Sequence, residues 1–288
     1  MPAVIYTNQA SLMAQKGLLG AQNSLALSVE RLSSGLRINR AKDDAAGLGV
    51  GENLQKQLNG VKQGINNLND AISMAQTAEG ALQSVSAMAQ RIIMLATQGA
   101  NETMSSDQRK SVTNELDALR TAINSVASRT KYTDTLIFGQ TTNTNIQVSN
   151  EANDKIAITP ASFGAMAVTA SASGGSTTGV TLDGAITTAM ATAVTTNFTS
   201  VQSAAAAYLN AITTQRGQLG AIQNQLEYTV SNLTEFANNL AASRSRVMDT
   251  DYASETANLT KGQILQQAAT AMLAQANQMP NVILTLLK

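Results

Sequence analysis

The sequence predicts a mainly α fold in which long antiparallel coiled-coil helices fold back so that the N- and C-terminal segments pair, with a small β-hairpin in the middle. Three observations predict it. Apolar residues recur at alternating spacings of four and three over long stretches in both halves of the chain. Aromatic residues make up only 3%, with no Trp, so burial falls to the Leu, Ile, Val, Met and Ala of helix seams. Between the helical halves the apolar period changes to two.

The first helix carries Leu18, Leu25, Val29 and Leu32 on one stripe. Gly17 and Gly20 lower its propensity, so the seam is weak. Ser33-Ser34-Gly35 reads as its stop, because Gly35 can take the left-handed conformation that ends a helix. An island of charge follows. In Glu30–Gly51 (ERLSSGLRINRAKDDAAGLGVG) seven of the first fifteen residues are charged, against 13% in the whole chain. Asp43 and Asp44 are read as caps of the next helix, where acidic groups meet free N–H groups and the positive dipole end. Gly47, Gly49 and Gly51 imitate a nucleotide-binding loop. No apolar strand precedes them, however, and Glu52 stands where the third glycine of GxGxxG belongs. Close helix approach is the better reading, and no cofactor is inferred.

The second helix is predicted over Asp44–Thr97, about 80 Å at 1.5 Å per residue. Its stripe runs Leu54, Leu58, Val61, Ile65, Leu68, Ile72, Ala75, meets Glu79, and resumes as Leu82, Val85, Ala89, Ile92, Leu95. That break reads as a stutter. Ordering a residue costs about 1–2 kcal/mol and burying a Leu or Ile returns about 1.5–3, so a one-sided stripe is stable only against partner helices. The partners are visible. Ser105-Ser106-Asp107 caps a third helix with Val112, Leu116, Leu119, Ile123 and Val126. A later stripe runs Leu209, Ile212, Leu219, Leu226, Val230, Leu233, Ala237, Leu240, Val247, with Arg216, Gln223 and Arg244 as polar misses.

Ile146 and Val148, then Ile156 and Ile158, flank the turn-rich SNEAND and predict one hairpin. Ala161–Ser200 is Ala, Ser, Thr and Gly with Asp183 as its one charge, a low-complexity segment read as a small loop-rich cap. The last helix carries Leu265, Ala268, Met272, Met279, Val282 and Leu286, with Pro280 interrupting it. The two weak end seams predict disorder at both ends of the isolated chain and folding on assembly.

Composition excludes much else. Nineteen basic residues balance nineteen acidic ones, which argues against nucleic acid or an anionic membrane as partner. The absence of Cys and His removes thiolate chemistry, the commonest general base and the commonest metal ligand. No catalytic residue and no metal site are therefore assigned, and the chain is not read as an enzyme. The N-terminus lacks a basic region followed by an apolar one, and no apolar run of about 18 residues occurs. Neither Sec-type export nor a membrane span is expected, and the location of the protein is left to another argument.

RLSSGLRINRAKDDAAG (Arg31–Gly47) and KGQILQQAATAMLAQANQMPNVILTLLK (Lys261–Lys288) together resemble the terminal signatures of bacterial flagellin, the subunit of the flagellar filament. The resemblance implies a structural, self-assembling subunit of an extracellular filament for swimming motility, exported by the flagellar type III apparatus through the growing tube. A junction or hook-associated protein of the same apparatus is the alternative. The resemblance implies an inner layer, D0, from residues 1–45 and 246–288. It implies a shell, D1, from 46–160 and 201–245, with the hairpin near 145–158, and a short variable segment, 161–200. Leu18, Leu25, Leu32, Leu265, Met272 and Leu286 become the polymerisation seam. The charged island would join the two layers, its charges pairing across subunits. Implied partners are further copies, an export chaperone on the C-terminal helix, and hook-associated junction and cap proteins. Two host receptors are implied as well: Toll-like receptor 5, reading Gln90, Arg91, Leu95 and Glu115, and the plant flagellin receptor, whose epitope falls on Glu30–Gly51 with Asp43, Asp44, Gly47 and Leu48 matching. The short middle leaves almost no outer domain, which implies a thin, smooth filament.

Overall fold

A computed structural model describes residues 8–138, 143–158, 185–189 and 195–286, with side chains described as far as residue 278. Helix α1 spans Gln9–Ser34, α2 Ala45–Gly99, α3 Ser106–Arg129, α4 Thr195–Met248 and α5 Tyr252–Leu286. Two antiparallel ladders lie between α3 and α4: β1 (Lys131–Tyr132) with β2 (Thr135–Leu136), and β3 (Thr144–Gln147) with β4 (Lys155–Ile158). The mainly α reading with a small hairpin is borne out. The predicted second helix differs by two residues or fewer at each end. The cap expected across Ala161–Ser200 lies largely outside the described residues. Only a helical segment at 185–189, with Ile186 and Ala189 buried, and the first residues of α4 fall inside.

The chain divides into two compact units, one formed by Met1–Leu58 with Asn238–Lys288, the other by Asn59–Ala237. In the second unit α2 is buried along Val61, Leu68, Ala71, Ala75, Ala78, Leu82, Val85, Ala89, Ile92 and Ala96. The alternation of three and four passes Glu79 without a break, so the expected stutter is absent. Small residues are the reason: Ala71 and Ala78 are buried and carry the seam, while Ile72 and Glu79, half-buried, flank it. Glu79 is instead the meeting point of the polar misses. Arg216 Nη2 stands 3.6 Å from its Oε1, and Gln223 Nε2 donates to Oε2 at 3.3 Å. Near the far end of α2, Gln202 Nε2 donates to Thr97 Oγ1 at 3.2 Å, which fixes α4 antiparallel to α2. The α4 seam starts earlier than predicted because Phe198, Val201, Ala205 and Tyr208 extend it; all four are buried. Helix α3 opens on a full capping box, Ser105 with Gln108, and buries Val112, Leu116 and Ile123.

The hairpin pairs Ile146 with Ile156 and Thr144 with Ile158, as the alternation requires. It docks on α2 through a feature the apolar pattern does not reveal. A Cβ on Gly64 would overlap the Val148 carbonyl, and one on Gly60 would crowd Asn150. The bare backbone between these two glycines is the seat of the hairpin, fastened by Asn67 Nδ2 donating to the Gln147 carbonyl at 2.9 Å. The β1–β2 turn is also new. Thr133 (φ 42°) and Asp134 (φ 65°) occupy the left-handed region that a two-residue hairpin turn demands.

Gly64→Ala should unseat the hairpin and lower stability by about 1–3 kcal/mol, the usual effect of overpacking. Gly80→Ala is the contrast, since nothing stands within 4 Å of its added Cβ. It should stabilise by roughly 0.5–1 kcal/mol through helix propensity. Thermal unfolding of both variants checks the pair; an equal effect of the same sign would contradict the assignment.

Candidate functional site

The terminal unit is organised by one antiparallel pair, α1 against α5. Asn8 meets Ala276 at one end, Leu25 packs on Gly262 in the centre, and Arg31 faces Glu255 at the other end. The face that α1 turns to α5 is Ser11, Ala14, Leu18, Ala21, Leu25, Ser28 and Leu32, alternately spaced by three and four. Leu18, Leu25 and Leu32, three of the predicted seam residues, are therefore the intramolecular seam, half-buried within one chain. On α5 the inward face is Glu255, Leu259, Gly262, Gln266, Ala269, Leu273 and Ala276. The predicted residues of that helix lie one position off it. Leu265 is 48% exposed and Met272 64%. The side chain of Leu286 lies outside the described residues.

This offset has a physical cause. Small residues on the inward faces, Ala21, Ser28, Gly262 and Ala276, let the helices approach closely. The larger apolar side chains are left on the outside, where Leu12, Met13, Leu19, Val29, Ile264, Leu265 and Met272 are all exposed. Leu25, Ala26 and Val29 line an open groove bounded by Glu30 and Arg40. Pro280 does not interrupt α5, whose backbone continues to Leu286. The expectation of disordered ends concerns the isolated chain in solution; the structure holds their ordered, paired form.

The two linkers are locked to one another. Gly35, in the left-handed conformation (φ 72°), ends α1, as its sequence predicts. Arg37 N–H then donates to the Met248 carbonyl at 2.7 Å, Thr250 N–H donates to the Gly35 carbonyl at 3.0 Å, and Leu36 bridges to Asp249. The Arg37 guanidinium donates to the Val247 carbonyl at 2.7 Å. Ile38 is buried beneath the turn, and Gly51 admits the Met248 side chain against α2.

Much of the charge in the island is engaged inside the chain. Arg40 grips Glu30 with Nε at 2.7 Å and Nη2 at 2.6 Å, and Asn39 Nδ2 adds a third bond at 2.9 Å. These bonds hold the Glu30 carboxyl below its usual range, Arg40 contributing most. Asp43 and Asp44 divide the work assigned to both. Asp44 is the cap, its Oδ1 accepting from Gly47 N–H at 2.9 Å. Asp43 turns back and accepts from the Arg40 and Asn39 N–H groups at 3.0 and 3.3 Å, which lowers its own pKa. Adjacent side chains at a helix start diverge, so one cannot duplicate the other. Leu48, half-buried in the first turn of α2, donates its N–H to the Asp44 carbonyl.

Of the second expected patch, Gln90, Arg91 and Glu115 are exposed together, Arg91 bonding Glu115 across α2 and α3 at 2.6–2.9 Å. Leu95 is 2% exposed and belongs to the core beneath them. Among the described residues no helix is long and apolar enough to cross a membrane.

Residues 5–144 match the family model described as the bacterial flagellin N-terminal helical region, and residues 189–287 match the flagellin C-terminal helical region. The chain is 37% identical to a flagellin of Halalkalibacterium halodurans over 99% of this chain and 100% of that one. It is 35% identical to a flagellin of Bacillus subtilis, covering 98% of each. With the polar flagellin F of Vibrio parahaemolyticus it shares 34% identity over the full length of both.

Glu30 and Asp43 both have depressed folded values, so their contribution to the linker is complete above the ordinary carboxyl value of about 4 and is lost as the pH falls through the folded values. Acid titration followed by NMR of the Asn39 and Arg40 amides should show the turn opening only below that value. Glu30→Gln should shrink the acid-dependent change; an identical profile would separate Glu30 from the turn.

Proposed function

The chain belongs to the bacterial flagellin family, and from that membership we propose how its own residues do the family's work. It is a structural subunit that self-assembles into the bacterial flagellar filament, the organelle of swimming motility. The observation that carries the mechanism is the set of large apolar side chains left exposed on the terminal helices, Leu12, Leu19, Val29, Ile264, Leu265 and Met272. A monomer has no other use for so many large apolar groups in water, and equivalent groups on the next copy cover them. The pairing of α1 with α5 is thin, its half-buried leucines alternating with small residues such as Ala21, Ser28, Gly262 and Ala276, so it is marginal alone and gains its stability on docking. Polymerisation then completes an ordering of the terminal helices that is only partial in the isolated chain.

Residues 1–45 and 246–288 are assigned to the channel-lining layer and residues 46–160 and 201–245 to the shell; the paired linkers at 35–37 and 248–250, where both strands of the chain change helix, support that division. The export chaperone covers the C-terminal part of α5, because Ile264, Leu265 and Met272 would otherwise cluster in the cytosol before export. Hook-associated junction and cap proteins meet the same side chains at the filament ends. The role is structural rather than catalytic, in keeping with a chain that has no His and no Cys.

Toll-like receptor 5 would read the surface made by Gln90, Arg91 and Glu115, with Met94, 56% exposed, at its edge and Leu95 as the buried support. The plant receptor would read Glu30–Gly51 as an extended peptide, which requires the Glu30–Arg40 clasp and the Asp44 cap to open first.

Leu265→Asp and Met272→Asp should abolish seeded polymerisation while leaving the far-UV circular dichroism of the monomer nearly unchanged, since both side chains lie off the inward face and are largely exposed. Leu25→Asp, on the inward face, should lower monomer helicity as well. Normal filaments from the first two variants, seen by electron microscopy, would overturn the assembly surface.

A further inference from the structure

Residue 280 is proline, and proline has no N–H. In an α-helix the N–H of residue 280 would serve the carbonyl of residue 276. Helix α5 nevertheless continues to Leu286, and Ala276 is only 5% exposed, so its carbonyl is left without its helical donor where water has little access. Asn8 fills the vacancy from the other helix. Its Nδ2 donates to the Ala276 carbonyl at 2.8 Å, while its Oδ1 caps α1 by accepting from Ser11 N–H at 3.1 Å. One turn further, Ser11 Oγ donates to Asn277 Oδ1 at 3.1 Å.

We propose that Asn8 is the register pin of the terminal helix pair: one amide completes the backbone of both helices and fixes which turn of α1 lies against which turn of α5. A pin is needed because the seam specifies register weakly. Leu25 packs on Gly262, and seven residues along Leu18 and Ala269 hold the equivalent places, so a slide by one heptad would set a leucine against a small residue again. Polar contacts are what distinguish one register from the next. At the opposite end Arg31 and Glu255 stand 3.8 Å apart, with the Glu255 side chain 8% exposed. The pair is held at both ends and plain in between. Pro280 is therefore a specificity element, because it leaves exposed to α1 a single backbone acceptor that only the correct register can satisfy. The proposal rests on the assembly reading in one respect: the register decides which side chains form the outer surface that the next copy meets.

The chain contains no Cys, so a crosslink reports register cleanly. A Cβ on Gly262 would lie 3.5 Å from the Leu25 Cβ, within the range of about 3.5–4.5 Å that a disulfide requires. In a Leu25→Cys, Gly262→Cys background the monomer should oxidise to this disulfide readily. Asn8→Asp keeps the cap but removes the donor, and Asn8→Ser keeps the cap but cannot reach α5. Each should slow crosslinking roughly two- to tenfold, the span that one net hydrogen bond gives. Without the cysteines, each should raise the critical concentration for seeded polymerisation by a similar factor. Pro280→Ala restores the helical N–H, so in that background Asn8→Ser should cost little in either assay. Crosslinking of Asn8→Asp and Asn8→Ser at the parent rate would overturn the pin, as would an undiminished defect in the Pro280→Ala background. The crosslink is read on monomers. A parent chain that crosslinks but fails to polymerise on seeds would count against the assembly reading and leave the pin standing.

Discussion

Everything in this molecule follows from one constraint: a narrow apolar stripe on a very long helix must meet another helix at every turn, because no turn can bury its share against the helix itself. The consequence appears first in composition. Bulky aromatic groups would hold partner axes apart, and the chain has nine aromatics in 288 residues. It appears next in the seam of α2, where Gly64, Ala71 and Ala78 alternate with Leu68, Ala75 and Leu82 in a continuous file. Where a small residue meets something other than a helix, the same close approach is reused. The hairpin sits on Gly60 and Gly64, and the Phe198 ring lies over Gly99.

The terminal pair applies the constraint differently. Here the inward faces alternate half-buried leucines with Ala, Ser and Gly, so each turn buries little. Burying a Leu is worth about 1.5–3 kcal/mol, and an Ala much less, against an ordering cost of about 1–2 kcal/mol per residue. The large side chains that could close that gap, Leu12, Leu19, Ile264, Leu265 and Met272, are exposed. A fold that turns its best apolar groups outward is incomplete as a monomer, and completion by identical copies is the economical solution because the same groups recur on each. Polymerisation is thus the folding reaction of the terminal helices continued between chains.

Much of this was legible in the sequence, and the misses share a cause. Helix existence, the Gly35 stop, the Ser105 cap and the central hairpin each depend on local chemistry that a few residues express. The heptad reading of α1 found its inward face for the same reason. It failed on α5 because pattern reading follows the largest side chains, whereas the partner selected the smallest: Gly262 and Ala276 are the contact, and Leu265 is not. Glu79 misled in the same way, since a polar residue beside a seam of alanines looks like a break in a seam of leucines. The Leu95 assignment mixed a buried residue with three surface ones, because identity alone does not carry burial. Long-range backbone pairing, such as Arg37 with Met248, has no local signature at all.

Charge completes the logic. Only 13% of the residues are charged, and those that mark contacts sit where the apolar stripe leaves a choice open. A stripe with a seven-residue period is satisfied equally well by any whole-heptad shift, so it supplies affinity without address. Glu79 with Arg216 and Gln223, Arg31 with Glu255, and Glu30 with Arg40 supply the address, each pairing residues distant along the chain or across a turn. Being partly exposed, such pairs add little stability, with a typical value of about 0–1 kcal/mol. Their worth lies in the registers they forbid: one heptad along, Arg31 would face Met248 or Gly262 in place of Glu255. A subunit that must present the same outer surface in every copy depends on that exclusion as much as on the seams themselves.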